Sequence, residues 1–149
     1  MKDNKFKNEE FLSIDDSIDN MSIIFIGKIN AFRRHIGKPM RILFNGATKG
    51  DHKSLYHPRG RALDFTCDTN DYAVIALAIK YGLNGIGMYT NHDGYRSWHL
   101  DDRPNITIWE GTKKNENDKW TYKTILGGLN GWYIWINRYG TGDIPRYTV

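Results

Sequence analysis

The sequence predicts an α+β fold in which helices pack on one small antiparallel sheet. Between residues 15 and 36, apolar side chains recur every three or four positions, which is typical of an amphipathic helix. Farther along, the segments GIGMY and SWHLDD are separated by the polar turn TNHDGYR, which is typical of two neighbouring strands. At 149 residues the chain has the size of one domain, so we expect a single domain over 1–149.

The first half of the chain supplies the first helix, a strand and a loop. The helix over residues 15–36 is expected to end at Gly37, with Pro39 beyond it. The segment MRILFN then predicts a short strand. Residues 45–60 are rich in glycine and polar side chains, and we interpret them as a functional loop.

The second half begins with a strand predicted over residues 61–67, where apolar and polar residues alternate. A second helix follows, with N-cap residues available at positions 68–71 and an end near Gly82. The hairpin strands come next. The segment ITIWEG and the tryptophan-rich tail after it carry no clear pattern, so residues 111–149 stay unassigned.

Composition restricts the kind of site and partner. Cys67 is the only cysteine, which excludes an intramolecular disulfide and a four-cysteine zinc site, so any metal site must use histidine and carboxylate. The net charge of +4 favours an anionic partner weakly. Because the basic residues are scattered and no nucleic-acid motif concentrates them, we expect no nucleic-acid partner.

The start of the chain, MKDNKFKNEEFLSIDD, is too polar for the apolar stretch of a signal peptide. No apolar run reaches transmembrane length, so no membrane partner is expected. These features predict a protein that is made in the cytoplasm. Any action outside the cell would then need another route of release.

Three residues have the chemistry of a metal site. His57 and Asp64 lie on either side of Gly60, which lets the backbone turn between loop and strand, and His99 follows in a predicted strand. A catalytic zinc typically takes three protein ligands and leaves a position for water. Two histidines and one carboxylate meet that requirement, although each residue alone also has an ordinary structural role.

The motifs around these residues resemble the zinc D-alanyl-D-alanine carboxypeptidase and murein endopeptidase family, whose fold is shared with the Hedgehog signalling domain. The family pattern is Ser-x-His-x-x-Gly-x-Ala-x-Asp; here Ser54 lies one residue farther from the histidine. The resemblance spans residues 18–110. It includes His57, Gly60, Ala62, Asp64, the segment GIGMY, His99, Asp101, Arg103 and Trp109.

The resemblance implies a zinc ion held by His57, Asp64 and His99, and hydrolysis of a peptide bond in bacterial peptidoglycan. The general base is where this chain departs from the family, because many relatives carry Glu or Asp three residues before the last histidine and this chain has Arg96 there. Asp93 has the spacing at which Hedgehog domains carry a glutamate, and we rank it first. His92 and Asp101 are the alternatives.

Other residues of the predicted site follow from the same resemblance. Relatives bind the substrate carboxylate or the oxyanion with an arginine upstream of the first histidine, and Lys49, Arg59 or Arg61 could supply that charge here, with Ser54 nearby for substrate binding. Asp101 could instead orient a ligand imidazole. The aromatic residues Trp120, Trp132 and Trp135 could stack on sugars, but we expect them to fill a core.

The leading hypothesis is therefore a monomeric zinc carboxypeptidase or endopeptidase of the cell wall. The short chain suggests a phage lysin or a virion-associated murein hydrolase that acts on the wall after release. The alternative is a zinc-binding but inactive module for cell-wall recognition or structure, which the arginine at position 96 favours. A small nucleic-acid-binding domain is the weakest alternative.

Overall fold

The computed structural model describes residues 5–10, 16–50, 52 and 54–127. In this part of the chain two α-helices pack on a six-stranded sheet, which confirms the α+β class. The helices are α1, Ile23–Ile36, and α2, Asp71–Lys80. The strands are β1 Met40–Ile42, β2 Ala62–Cys67, β3 Gly85–Thr90, β4 Arg96–Asp101, β5 Thr107–Thr112 and β6 Thr121–Gly127.

The sheet has the strand order β1-β2-β4-β3-β5-β6 and is mixed. The prediction of an antiparallel sheet is wrong at one pairing, because β3 and β5 run parallel while the other described pairs are antiparallel. The hairpin explains the exception. Strand β4 ends beside the start of β3. The short connection over 102–106 crosses to the other edge of β3 at that same end, so β5 begins beside the start of β3 and runs in the same direction.

The first helix is shorter than predicted. A short 3₁₀ helix at Ile18–Asn20 is separated from α1 by Met21 and Ser22. The backbone N–H of Ser22 donates to the carbonyl of Gly60 at 2.9 Å, and its side chain caps the new helix. This long-range contact interrupts the amphipathic pattern, whereas α1 ends at Gly37 as predicted, with that glycine in the left-handed conformation.

The second helix matches its prediction. Asn70 caps it by accepting a hydrogen bond from the backbone N–H of Ala73 at 2.9 Å, and the helix ends just before Gly82. Neither of the two described α-helices is long and apolar enough to cross a membrane.

The two faces of the sheet have different roles. Side chains alternate along each strand, so one face collects the apolar residues that pack on the helices. These buried residues are Leu63, Phe65, Ile86, Met88, Trp98, Leu100 and Ile108. On the other face the register places Asp64 and Gly87 on either side of His99, and Trp109 beyond Gly87. The metal-binding chemistry predicted from the sequence is therefore confined to the face away from the helices.

Candidate metal centre

His57, Asp64 and His99 converge on one point. Asp64 and His99 are cross-strand partners in β2 and β4, and His57 reaches them from the loop before β2. The Nδ1 atom of His99 lies 2.8 Å from Oδ1 of Asp64 and 3.1 Å from Nε2 of His57, and the remaining side of this triangle is 3.4 Å. Ligand atoms at tetrahedral zinc distances of about 2.0–2.1 Å are roughly 3.3 Å apart, so the triangle has the size of one face of a zinc tetrahedron.

Gly60 shapes the turn that delivers His57. Its φ of 66° is left-handed, and its backbone N–H donates to the carbonyl of His57 at 2.9 Å. A Cβ at this position would lie 2.3 Å from the carbonyl oxygen of Asn20, so a side chain cannot be accommodated. The glycine of the motif is thus explained by backbone contact with the segment that precedes α1.

In both His57 and His99, the outer ring nitrogen, which points away from the triangle, already has a hydrogen-bond acceptor. Nδ1 of His57 lies 2.7 Å from the carbonyl oxygen of Ala47, and Nε2 of His99 lies 2.8 Å from Oδ2 of Asp101. A carbonyl or carboxylate oxygen can only accept, so both outer nitrogens carry the proton. In the neutral rings the inner nitrogens, Nε2 of His57 and Nδ1 of His99, then carry lone pairs that face the Asp64 carboxylate. Such a group of electron donors requires a cation or a proton at its centre.

Asp101 lies behind His99 and is fully buried. Arg103 holds it by two side-chain hydrogen bonds, of 2.8 Å to Oδ1 and 2.6 Å to Oδ2, and its backbone N–H donates a third of 3.1 Å. The carboxylate thus has a fixed orientation and bridges a histidine to an arginine. The orienting contact with His99 that the sequence suggested is present, together with a salt bridge to Arg103.

The electrostatics of the centre favour positive charge. Burial alone lowers the pKa of His99, but hydrogen bonds to Asp101 and Asp64 outweigh it and raise the pKa to about 9. Burial raises the pKa of Asp64 and of Asp101, yet the hydrogen bonds from the histidines, and from Arg103 to Asp101, hold both pKa values well below their usual range. Without a metal ion, His99 therefore holds a proton at neutral pH.

Sequence reasoning missed His52. Its ring stacks on His57 with centroids 3.8 Å apart and planes 11° apart, and its Nε2 lies 2.6 Å from the carbonyl oxygen of Lys49. His52, His57 and Asp64 form a group that could hold a metal ion, with one ligand atom from each residue within 4.8 Å of the others. The available signal was a second histidine in the loop 45–60, but its spacing matches no motif.

A cavity of about 690 Å³ opens beside these residues. The triad and His52 line one part of it. An aromatic wall lines another and consists of Tyr89, Trp109, Trp120 and Tyr122. Three cationic side chains and one carboxylate also reach the cavity, namely Arg103, Lys113, Lys119 and Asp118.

Trp120 belongs to this wall rather than to the hydrophobic core, where we had expected it. Its ring contacts the edge of Tyr89 at a centroid distance of 5.2 Å, and Lys113 lies over it at 5.1 Å. Trp132 and Trp135 lie outside the described residues.

The two residues of the β3–β4 turn that were considered as general base do not come near the triad. Asp93 and His92 are exposed, and Oδ1 of Asp93 accepts a hydrogen bond from the backbone N–H of Tyr95 at 2.9 Å, as in an ordinary turn. Neither residue lines the cavity. Arg96, three residues before His99, points to the opposite face of the sheet, where its Nε donates to Asp71 at 3.0 Å.

The cations predicted upstream of β2 also lie elsewhere. Lys49 and Arg59 are exposed, and Arg61 pairs with Asp102 at 2.7 Å. None of the three lines the cavity, whereas Ser54 does. The structure thus keeps the predicted ligands together but draws the positive charge of the cavity from the β5–β6 connection and Arg103.

No family model, no curated protein and no solved structure matches this chain. The similarity to the zinc carboxypeptidase and endopeptidase family therefore rests on the motifs alone. What the site does has to follow from its chemistry.

Proposed function

We propose that this protein is a zinc peptidase that hydrolyses a peptide bond of bacterial cell-wall peptide. The observation that carries the proposal is the triangle of His57, Asp64 and His99, in which the inner atoms face one another within 3.4 Å while the outer nitrogens donate elsewhere. Two imidazoles and one carboxylate suit zinc better than magnesium or calcium, which prefer oxygen ligands alone. Three protein ligands beside a cavity are the usual arrangement of a catalytic zinc.

The donor set supports a hydrolytic reaction. Zinc held by these ligands would lower the pKa of a water molecule from 15.7 to about 7 and polarise the carbonyl of the substrate. Ala47 and Asp101 keep the ligand rings in the tautomer that this role needs. Asp64, less buried than the two histidines, is the ligand that borders the cavity most openly.

His52 is the side chain placed to accept a proton from the attacking water. The Lys49 carbonyl accepts from its Nε2–H, which leaves Nδ1 with a lone pair. The ring lines the cavity and stacks on His57, so it lies beside the ligands rather than remote from them. Histidine is the commonest general base because it gains and loses a proton near neutral pH.

The choice of cell-wall peptide rests on the motif resemblance, and the cavity is compatible with it. Lys113 and Lys119 offer positive charge to the carboxylates of an acidic stem peptide. The aromatic wall offers apolar surface beside them. An action as a phage lysin or virion-associated hydrolase belongs to the same proposal.

Zinc content and hydrolysis test the proposal together. The purified protein should hold about one zinc by elemental analysis and should release peptide fragments from purified peptidoglycan, and a chelator should abolish the release. His57→Ala and His99→Ala should lose both properties. Cys67→Ser is the matched control and should keep both, because the thiol lies outside the cavity.

A second pair of variants tests the general base. His52→Gln should retain zinc and lower kcat by about 10²- to 10⁴-fold, whereas Asp93→Asn should behave as wild type. Loss of zinc from His52→Gln would instead make His52 a ligand. Full zinc occupancy without any hydrolysis by the wild-type protein would favour the inactive zinc-binding module.

A further inference from the structure

Tyr89 holds a hydroxyl group on the same face of the sheet as His99. Its oxygen accepts a hydrogen bond of 2.9 Å from Nε1–H of Trp109. Since the oxygen is the acceptor in this hydrogen bond, the hydroxyl hydrogen of Tyr89 is left to donate, and no side chain or carbonyl among the described residues accepts it. The group lines the cavity, so a ligand there can be its acceptor.

Two glycines make room for the Tyr89 ring. A Cβ on Gly87 would lie 2.7 Å from its Cε2 atom, and a Cβ on Gly111 would lie 2.6 Å from its Cδ1 and Cε1 atoms. The ring therefore lies flat across β3 and β5 and leans back toward Gly87, which is the strand partner of His99. This packing brings the hydroxyl end of the ring toward the triad.

Trp109 fixes the position of that hydroxyl relative to the ligands. Its ring lies 5.2 Å from the His99 ring between centroids, and the guanidinium of Arg103 covers it at 4.9 Å. The same indole thus contacts a ligand histidine and donates to Tyr89. Such a held donor in a cavity is the arrangement used to stabilise charge that develops during acyl transfer.

We propose that Tyr89 is a catalytic residue that donates its O–H to the carbonyl oxygen of the scissile peptide bond. This inference rests on the proposed peptidase function. As the water oxygen bonds to the carbonyl carbon, the π electron pair moves onto the carbonyl oxygen, and Tyr89 donates a hydrogen bond to it without losing its proton. The proton of the water passes to His52 and then to the leaving amine when the C–N bond breaks.

The protonation state of Tyr89 agrees with a donor role. Burial is the main cause that raises the pKa of Tyr89, to about 12, and the negative charge of Asp64 acts in the same direction. The hydroxyl is therefore protonated throughout the neutral range. A role as a proton acceptor is correspondingly disfavoured.

Tyr89→Phe tests the inference because it removes the hydroxyl and keeps the ring between the two glycines. We expect zinc content and thermal stability close to wild type, KM changed by no more than about twofold, and kcat lowered by about 10²- to 10³-fold. Binding of a phosphinate peptide, whose tetrahedral oxygen stands for the charged carbonyl oxygen, should weaken in parallel. Tyr95→Phe, at the exposed turn, is the control and should match wild type in all of these measurements.

Trp109→Phe is a second variant, since it retains an aromatic ring but removes the N–H that holds Tyr89. It should lower kcat and phosphinate affinity in the same direction and by less. If Tyr89→Phe hydrolyses peptide with the kcat of wild type, the role of Tyr89 is overturned and the peptidase function stands. If zinc-loaded wild-type protein hydrolyses no peptidoglycan, the proposed function fails and this inference fails with it.

Discussion

At the scale of single residues, Gly85 determines whether Asp101 can stand behind His99. Gly85 and Asp101 are cross-strand partners in β3 and β4. A Cβ on Gly85 would lie 2.0 Å from Oδ1 of Asp101 and 2.3 Å from its Cγ, so any side chain there would occupy the place of the carboxylate. Arg103 holds Asp101 by two side-chain hydrogen bonds, so the carboxylate cannot move away from Gly85 without disturbing them.

Gly85→Ala should therefore disturb the orientation of His99 without changing a ligand. We expect zinc affinity to fall by about 10- to 100-fold, as when the partner of a ligand histidine is removed. Titration of zinc against a competing chelator measures this. Gly27→Ala is the matched control, because its Cβ would meet nothing within 4 Å on an exposed part of α1, and it should bind zinc as wild type and gain up to about 1 kcal/mol of stability. Equal zinc affinity in the two variants would contradict the role of Gly85.

At the scale of elements, the loop before β2 is held in place by the segment that precedes α1. Asp16 is buried, and its two carboxylate oxygens accept hydrogen bonds from the backbone N–H and hydroxyl of Thr48, at 2.9 and 2.7 Å, and from the backbone N–H of Lys49 at 3.3 Å. Ala47, just before Thr48, supplies the carbonyl that orients His57. The position of His57 thus depends on a carboxylate far from it in sequence.

Asp16→Asn tests this connection. An amide keeps the size of the side chain but turns one acceptor into a donor that faces the backbone N–H groups, which should destabilise the protein by about 1–3 kcal/mol. Because the Ala47 carbonyl would shift, zinc affinity should fall as well, by roughly tenfold. Asp19→Asn removes an exposed carboxylate of the same segment and should change neither quantity. Chemical denaturation and zinc titration of both variants provide the comparison, and wild-type zinc affinity in Asp16→Asn would show that the loop holds its position without this carboxylate.

The elements that the sequence predicted are those with local signals. The cap at Asn70, the end of α1 at Gly37 and the hairpin between β3 and β4 each depend on a few consecutive residues. The break before α1 was missed because it depends on the distant carbonyl of Gly60, which no pattern within the helix reveals.

The residues of the candidate site also divide into those that a sequence motif marks and those that only the folded structure reveals. His57, Asp64 and His99 were found together because their spacing follows the family motif. Asp93 was ranked as a base from spacing alone, yet its own turn holds it in solvent. His52 and the contacts of Asp16 have no motif to mark them and became visible only through the folded loop.

At the scale of the whole molecule, the proposed zinc site would couple metal binding to folding stability through one proton. His99 is the group concerned, because its pKa rises from 6.5 to about 9 in the folded protein. Between these values the folded state holds more protons than the unfolded state, so the stability contributed by His99 is complete below pH 6.5 and is lost as pH rises through about 9. Asp64 and Asp101, whose pKa values are lowered, are ionised throughout this range and add no slope within it.

The metal-free protein should therefore become less stable between pH 6.5 and pH 9, while stabilisation by zinc should increase. Zinc must displace the proton on Nδ1 of His99, so its apparent affinity should strengthen by up to about tenfold per pH unit until the pKa is passed. Urea unfolding of chelator-treated and zinc-loaded protein at several pH values measures both trends. In the zinc-loaded protein the two trends cancel, so its free energy of unfolding should change little over this range, whereas a general effect of pH on the fold would move both forms together. A free energy of unfolding that stays level across this range without metal would show that His99 does not hold the proton that its two carboxylate partners require.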